Sequence, residues 1–303
     1  MAAESDLGVE SPESQQILDE IGRRMLKRRV DALKNLPTFS ESILRINQVI
    51  VGDAEEASFE RVAPVIETDP VLTARILRLV NSAFYGLSGG VSTVYDALVM
   101  LGLDVVRGLI LSTNAMEMVE GRRGIRGLWE HSFGAAVAVI ALGKTLRLPR
   151  IKELSAAALM HDIGKMVLAS QLGREYDQVV AHALSKRMWI RDAELEMLGV
   201  PHDEIGRWLV TRWRLPPGLA VPIARHHEPS RAGKHGLAAS AVHVADIMIR
   251  GYGFGFAGDD VMPMIDPYAW KTLGLNETKL RRAVSEMHLD LQQALVQANL
   301  YVD

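Results

Sequence analysis

The chain reads as an all-α protein on three grounds. Apolar residues recur at helical spacing through most segments, strand-like alternation is nearly absent, and helix start and stop signals fall at segment ends. At 303 residues there is room for one large or two ordinary domains with ample core. A hydrophobic content of 48% with 23% charged residues is ordinary for a soluble globular protein. The net charge of −3 argues against a broad nucleic-acid or acidic-membrane footprint, so neither a nucleic-acid nor a membrane partner is expected. The arginine-rich stretch near 121–126 is the feature that keeps a nucleic-acid contact open. With no cysteine, disulfides and thiolate metal sites are excluded, which fits a reducing compartment. The longest apolar run, FGAAVAVIALG from Phe133 to Gly143, is too short to span a bilayer. The acidic opening MAAESDLGVESPESQQ lacks the positive region of a signal peptide, so a cytoplasmic location is expected.

Taken in order, residues 1–14 read as a disordered acidic lead. Ile17, Ile21, Met25 and Leu33 make a surface helix that Leu36-Pro37 breaks, and Ile43, Ile46 and Ile50 mark another. Ser58 offers a cap to the next helix, which Pro64 should kink or end. Asp69 as N-cap with Pro70 at the first helical position starts a helix through Leu72, Ile76, Leu79 and Val80. It closes on NSAFYG, where Asn81 and Ser82 offer side-chain bonds to backbone, and LSGG is a turn. Val94, Leu98, Leu101 and Val105 give the following segment one apolar side. EGRRGIRG, with three glycines and three arginines in eight residues, reads as a hinge or a solvated loop. Helices are expected at about 129–147, 152–170, 174–186, 189–198, 202–213, 217–227, 236–250 and 277–298, with a Gly- and Pro-rich loop at 251–267. This divides the chain into the lead, an N-terminal helical subdomain (15–125) and a second helical subdomain (126–303).

The chemistry concentrates at AALMHDIGKM, where His161 and Asp162 interrupt a run of small apolar residues. Core packing does not call for this doublet, because a buried, unpaired carboxylate beside an imidazole is costly. A divalent cation would satisfy both groups. Five of the nine histidines fall where such a site could use them: His131, His161, His202, His226 and His227. Asp246, inside the apolar AVHVADIMI, is the least expected carboxylate, with an ion pair to an interior arginine as the alternative. His226-His227 could instead be a helix C-terminus favouring positive charge, and His202 could be exposed at a helix start. His182, His235, His243 and His288 read as surface or hydrogen-bonded core residues. Local spacing does not establish that the candidates meet.

The order His131, His161-Asp162, Asp246 resembles the H…HD…D pattern of the HD metal-dependent phosphohydrolase superfamily, and His202, His226 and His227 resemble the second-metal histidines of its HD-GYP branch. The chain is more similar still to the HDOD family, the HD-related output domain of bacterial signalling proteins. LPTFSESILRI, IETDPVLTARILRLVNSAFYG, VSTVYDALVMLG, LWEHS, ALMHDIGK, HDEIGRWLVTRWRLP and HHEP match that family's blocks in order, roughly from Leu36 to Arg250. The resemblance implies that His131, His161, Asp162 and Asp246 hold one metal, and that Asp162 bridges to a second held by His202, His226 and His227. It implies a divalent ion, iron first, with manganese, nickel or zinc as alternatives. In a catalytic member, Asp162 would act at the metal pair and Lys165 would contact a phosphate oxygen of a nucleotide or cyclic dinucleotide. A solvent-facing Lys165 is the alternative. HHEPSRAGKHG lacks the GYP motif, which removes the direct support for cyclic di-GMP hydrolysis. The expected partners are bacterial signalling proteins and a phosphate-containing small molecule.

Overall fold

The computed structural model describes residues 58–81, 91–117 and 127–298, with the isolated positions Arg28, Ala32, Ile46 and Val49. The acidic lead, most of the two first helices and the 120–126 hinge lie outside the described residues. In order, the helices are α1 (Phe59–Glu67), α2 (Pro70–Val80), α3 (Val94–Leu101), α4 (Leu103–Glu117), α5 (Leu128–Leu146), α6 (Ile151–Met160), α7 (Ile163–Leu172), α8 (Arg174–Lys186), α9 (Ile190–Leu198), α10 (His202–Arg212), α11 (Pro217–Arg225), α12 (Gly236–Tyr252), α13 (Pro267–Thr272) and α14 (Glu277–Ala298). Two short 3₁₀ turns, Pro229–Arg231 and Gly233–His235, join α11 to α12. No strand occurs among the described residues, and none of the helices there is long and apolar enough to cross a membrane.

The ends follow local chemistry. Asp69 caps α2 by accepting from the backbone of Val71 and Leu72, with Pro70 at the first position. Asn81 then ties the end of α2 to Val91, donating to its carbonyl and accepting from its N–H. Thr93 caps α3 by accepting from the N–H of Asp96. Pro64 does not end α1, which continues to Glu67. Gly102, at φ 85°, divides one apolar stretch into α3 and α4. The expected helix 152–170 is two helices that meet at His161 and Asp162. α13 begins at the last residue of the expected 251–267 loop and uses the same Asp–Pro start, with Asp266 accepting from the N–H of Tyr268.

The Phe133–Gly143 run is the middle of α5 and is buried on all sides, as expected for a helix apolar around its whole circumference. α5 packs against α6, α12 and α14. Full burial of side chains such as Val137, Val139 and Leu142 contributes roughly 1.5–3 kcal/mol each. The same core continues into α1–α4 through Ile66, Ile76, Leu98 and Leu109. Arg107 of α4 reaches the far side of this core and donates to the Trp213 and Arg214 carbonyls at the end of α10, where the helix presents unsatisfied acceptors. These contacts hold α5, α6, α10, α11 and α12 around one interior point.

Candidate metal centre

His161 and Asp162 occupy the break between α6 and α7, so their side chains turn inward from two helix ends at once. Gly164, in the first turn of α7, sets how close α10 comes. A Cβ on Gly164 would lie 1.9 Å from the backbone oxygen of His202, so only glycine lets α10 approach this closely. α10 therefore delivers His202, its first residue, directly beside Asp162. His131 comes from the first turn of α5, Asp246 from the middle of α12, and His226 and His227 from the end of α11. All seven predicted ligand-type residues converge, and all except the half-buried His227 are buried.

Asp162 divides the group. Its Oδ2 faces His131 Nε2 at 3.5 Å and His161 Nε2 at 3.3 Å. Asp246 Oδ1 lies 3.0 Å from His131 Nε2 and 3.8 Å from His161 Nε2 on the same side. The other oxygen of Asp162, Oδ1, faces His202 Nε2 at 3.3 Å and His226 Nε2 at 3.9 Å. His227 Nε2 is 2.9 Å from His202 Nε2. Two groups of donor atoms, His131/His161/Asp162 and His202/His226/His227, are each gathered within 4.8 Å and could each hold a metal ion.

The residues fit a cation on a further ground. His161 Nδ1 donates to the Ala158 carbonyl (2.7 Å), His226 Nδ1 to the Ile223 carbonyl (2.8 Å) and His202 Nδ1 to Glu194 (2.6 Å). With one nitrogen anchored, each ring turns its Nε2 inward, the orientation that prepares imidazole for metal binding. Four buried polar atoms at the centre, His131 Nε2, His161 Nε2, His226 Nε2 and Asp162 Oδ1, make no well-aligned hydrogen bond despite these close approaches. Such atoms are costly unless something pairs with them.

The family model of the HDOD domain matches residues 36–229. The chain belongs to the HDOD family. The crystal structure of an HDOD domain protein of unknown function from Geobacter sulfurreducens superposes with a TM-score of 0.68 at 24% identity, covering 92% of this chain and 98% of that one. A Marinobacter aquaeolei VT8 protein, provisionally described as a signal transduction protein, gives 0.68 at 21% identity over 93% of this chain and 65% of that one. A protein of undescribed function from Treponema pallidum (strain Nichols) is 24% identical over 223 residues, 73% of this chain and 43% of that protein. This HDOD chain thus spans less than half the length of that relative.

Charge in the HDOD centre is distributed unevenly. Burial opposes a proton on His161, but Asp162 and Asp246 outweigh it and raise this imidazole to about 9. Burial dominates at His131, which falls to about 4, and at His226, which falls to about 3. Burial would raise Asp162 and Asp246, yet His161 and Lys165 hold the first well below the usual carboxylate range, and Arg250 and His131 hold the second.

Lys165 is not solvent-facing. It is buried, donating to Asp162 Oδ2 at 2.7 Å and to the Ala257 carbonyl at 2.9 Å. The ion pair considered for Asp246 is also present, as Arg250 Nε donates to its Oδ1 at 2.9 Å while His131 approaches the same oxygen. Arg250 continues to Asp259, so a His131–Asp246–Arg250–Asp259 chain runs from α5 across α12 to the loop that follows it. His243 is satisfied structurally, its Nδ1 donating to the His226 carbonyl and its Nε2 accepting from the backbone of Asp266.

Three residues absent from the sequence-derived set matter here. Glu194 is fully buried and accepts from both Nδ1 and the backbone N–H of His202. Its signal was present, because Glu194 stands midway along the buried stripe Ile190–Glu194–Leu198 at four-residue spacing. Arg250 follows Asp246 by one turn, an i,i+4 pair readable in sequence. Asp259 carries no such signal, since it lies in the loop that follows α12. That loop docks on α5 through Gly255, whose φ is +73° and whose Cβ would lie 2.2 Å from the His131 nitrogen. Beside it, a cleft of about 330 Å³ is flanked by His131, Arg250, Phe254 and Asp259.

Proposed function

We propose that this HDOD protein is a signal-transduction and regulatory module organised around a divalent-cation centre. His131, His161, Asp162 and Asp246 would hold one ion, and His202, His226 and His227 a second, with Asp162 between them. A donor set of nitrogen and oxygen without sulfur suits iron, our first choice, or manganese, nickel or zinc. The observation that carries the reading is the convergence of the buried Nε2 atoms of His131, His161, His202 and His226 on the two oxygens of one carboxylate. Signals would pass to bacterial signalling partners in the cytoplasm through the surrounding helices.

A second reading, a metal-dependent phosphohydrolase acting on a nucleotide or cyclic dinucleotide, is favoured by the cleft beside His131 and Arg250. A bound metal pair would supply a water of lowered pKa, and Asp162 would orient that centre. Lys165 would have to leave Asp162 and Ala257 to reach a phosphate oxygen.

Metal analysis of the purified chain tests the centre. The native protein should carry bound metal, and the double variant His161→Ala/Asp162→Ala should lose it; unchanged metal content would remove the site. Offering the Fe²⁺- or Mn²⁺-loaded protein phosphomonoesters, nucleotides and cyclic dinucleotides separates the readings. Turnover abolished by Asp162→Ala would favour the enzyme, and none across the panel the module.

A further inference from the structure

The α8–α9 hairpin contributes no donor to the centre, yet its side chains converge on the second donor set. Trp189, between the two helices, meets the His227 ring edge-on at 4.6 Å. Glu194 of α9 uses Oε2 to accept from His202 twice, from Nδ1 at 2.6 Å and from the backbone N–H at 2.7 Å. Its Oε1 accepts from the Tyr176 hydroxyl of α8 at 2.6 Å. Glu194 and Tyr176 are 0% and 1% exposed, and the one ion-pairing partner of Glu194 among the described residues is His202.

Accepting the first N–H of α10 gives this carboxylate a role at the helix start, but the same oxygen also takes the His202 ring. His161 and His226 are oriented equally well by neutral carbonyls, and burying an ionised carboxylate with no cation costs several kcal/mol. A carboxylate does what a carbonyl cannot. Its charge-assisted bond to Nδ1–H increases electron density at Nε2 and makes that nitrogen a stronger donor to a cation. Nothing equivalent stands behind His161, so the effect belongs to one side of Asp162 only.

We infer that Tyr176, Glu194 and His202 form a positioning relay that sets cation affinity at the second donor set and leaves the first unaffected. The inference rests on the metal reading above. Glu194 fixes His202 as the tautomer with its proton on Nδ1, and Tyr176 fixes the carboxylate rotamer by occupying the other oxygen. The relay holds the strongest of three imidazoles in place while His226 and His227 complete the set.

The test is titration of the full-length, metal-free chain with Co²⁺, followed by visible absorption and by metal content after desalting. Native protein should take up two cobalt ions per chain. Glu194→Gln keeps the shape and the acceptor oxygen but removes the charge. It should bind the first ion as the native chain does and the second 10- to 100-fold more weakly, with the second set of absorption bands altered. Tyr176→Phe should shift the same step by a smaller factor, and His202→Ala should abolish it. Retention of the first ion shows in the same sample that each variant is folded. Glu194→Gln binding both ions like the native chain, or weakening both in parallel, would overturn the relay. A native chain that stops at one cobalt leaves the metal reading standing and overturns the relay, and one that binds none overturns both.

Discussion

The two sides of Asp162 solve the same problem by opposite means. On the first side, His131 and His161 face two carboxylates, and charge is already balanced from within: Lys165 contacts Asp162, Arg250 contacts Asp246, and His161 is raised to about 9. On the second side the imidazoles of His202 and His226 face one carboxylate oxygen, His227 stands behind His202, and His226 is pushed down to about 3. Two Nε2 atoms there, of His202 and His227, approach to 2.9 Å. A proton, an ammonium and a guanidinium can thus stand in for a cation on the first side. Among the described residues, the second side has no lysine or arginine against its imidazoles, only the buried Glu194 behind His202, and relies more heavily on an external cation. The comparison teaches that an intact ligand list does not make two equivalent sites.

The largest expected effect comes from removing the internal compensation of the first side. Arg250→Met leaves Asp246 and Asp259 buried without their shared cation, and breaking such a pair costs about 3–5 kcal/mol. Chemical denaturation should show that loss in the metal-free protein, and loading with Mn²⁺ should recover part of it. A variant as stable as the native chain would mean that the two sides do not differ in this way.

Gly164→Ala should come next, at about 1–3 kcal/mol, since its Cβ must push His202 and α10 away from Asp162. The second donor set should lose affinity while the first keeps most of its own, a split readable in a two-step Mn²⁺ or Co²⁺ titration. Equal weakening of both steps would blur the distinction.

The pH dependence sharpens the contrast further. His131 and His226 have folded values of about 4 and 3, below the unfolded 6.5. They therefore contribute stability that is complete above pH 6.5 and lost as pH falls through those values. His161 has the opposite sign: its value of about 9 gives stability present below pH 6.5 and lost as pH rises through 9. Thermal melts of metal-free protein should be highest near pH 6.5 and fall on both sides, and His161→Gln should remove the alkaline decline alone.

The smallest effect is a control outside the centre. Asp69→Ala removes the cap of α2 and should cost about 1 kcal/mol, with metal content unchanged.

Much of this was legible in the sequence, for identifiable reasons. The helices from α8 to α12 are readable because amphipathic spacing and end signals agree. The seven ligand-type residues are readable because imidazoles and carboxylates stand where apolar residues belong. The break at His161–Asp162 is not, since apolar periodicity runs straight through it, and neither is the contact of Gly164 with the His202 backbone across thirty-eight positions of chain. Glu194 was readable on its apolar stripe, although its partner His202 was not. Lys165 shows the limit of residue-by-residue reading, because solvent and a phosphate were considered and its nearest carboxylate, three residues back, was the observed partner.

The most direct measurement is anomalous diffraction from a crystal of the full chain loaded with Fe²⁺ or Mn²⁺. Our account predicts two peaks flanking Asp162, one within reach of His131, His161 and Asp246, the other within reach of His202, His226 and His227. A map with no peak at either position, while those seven side chains stay where they are, would contradict it.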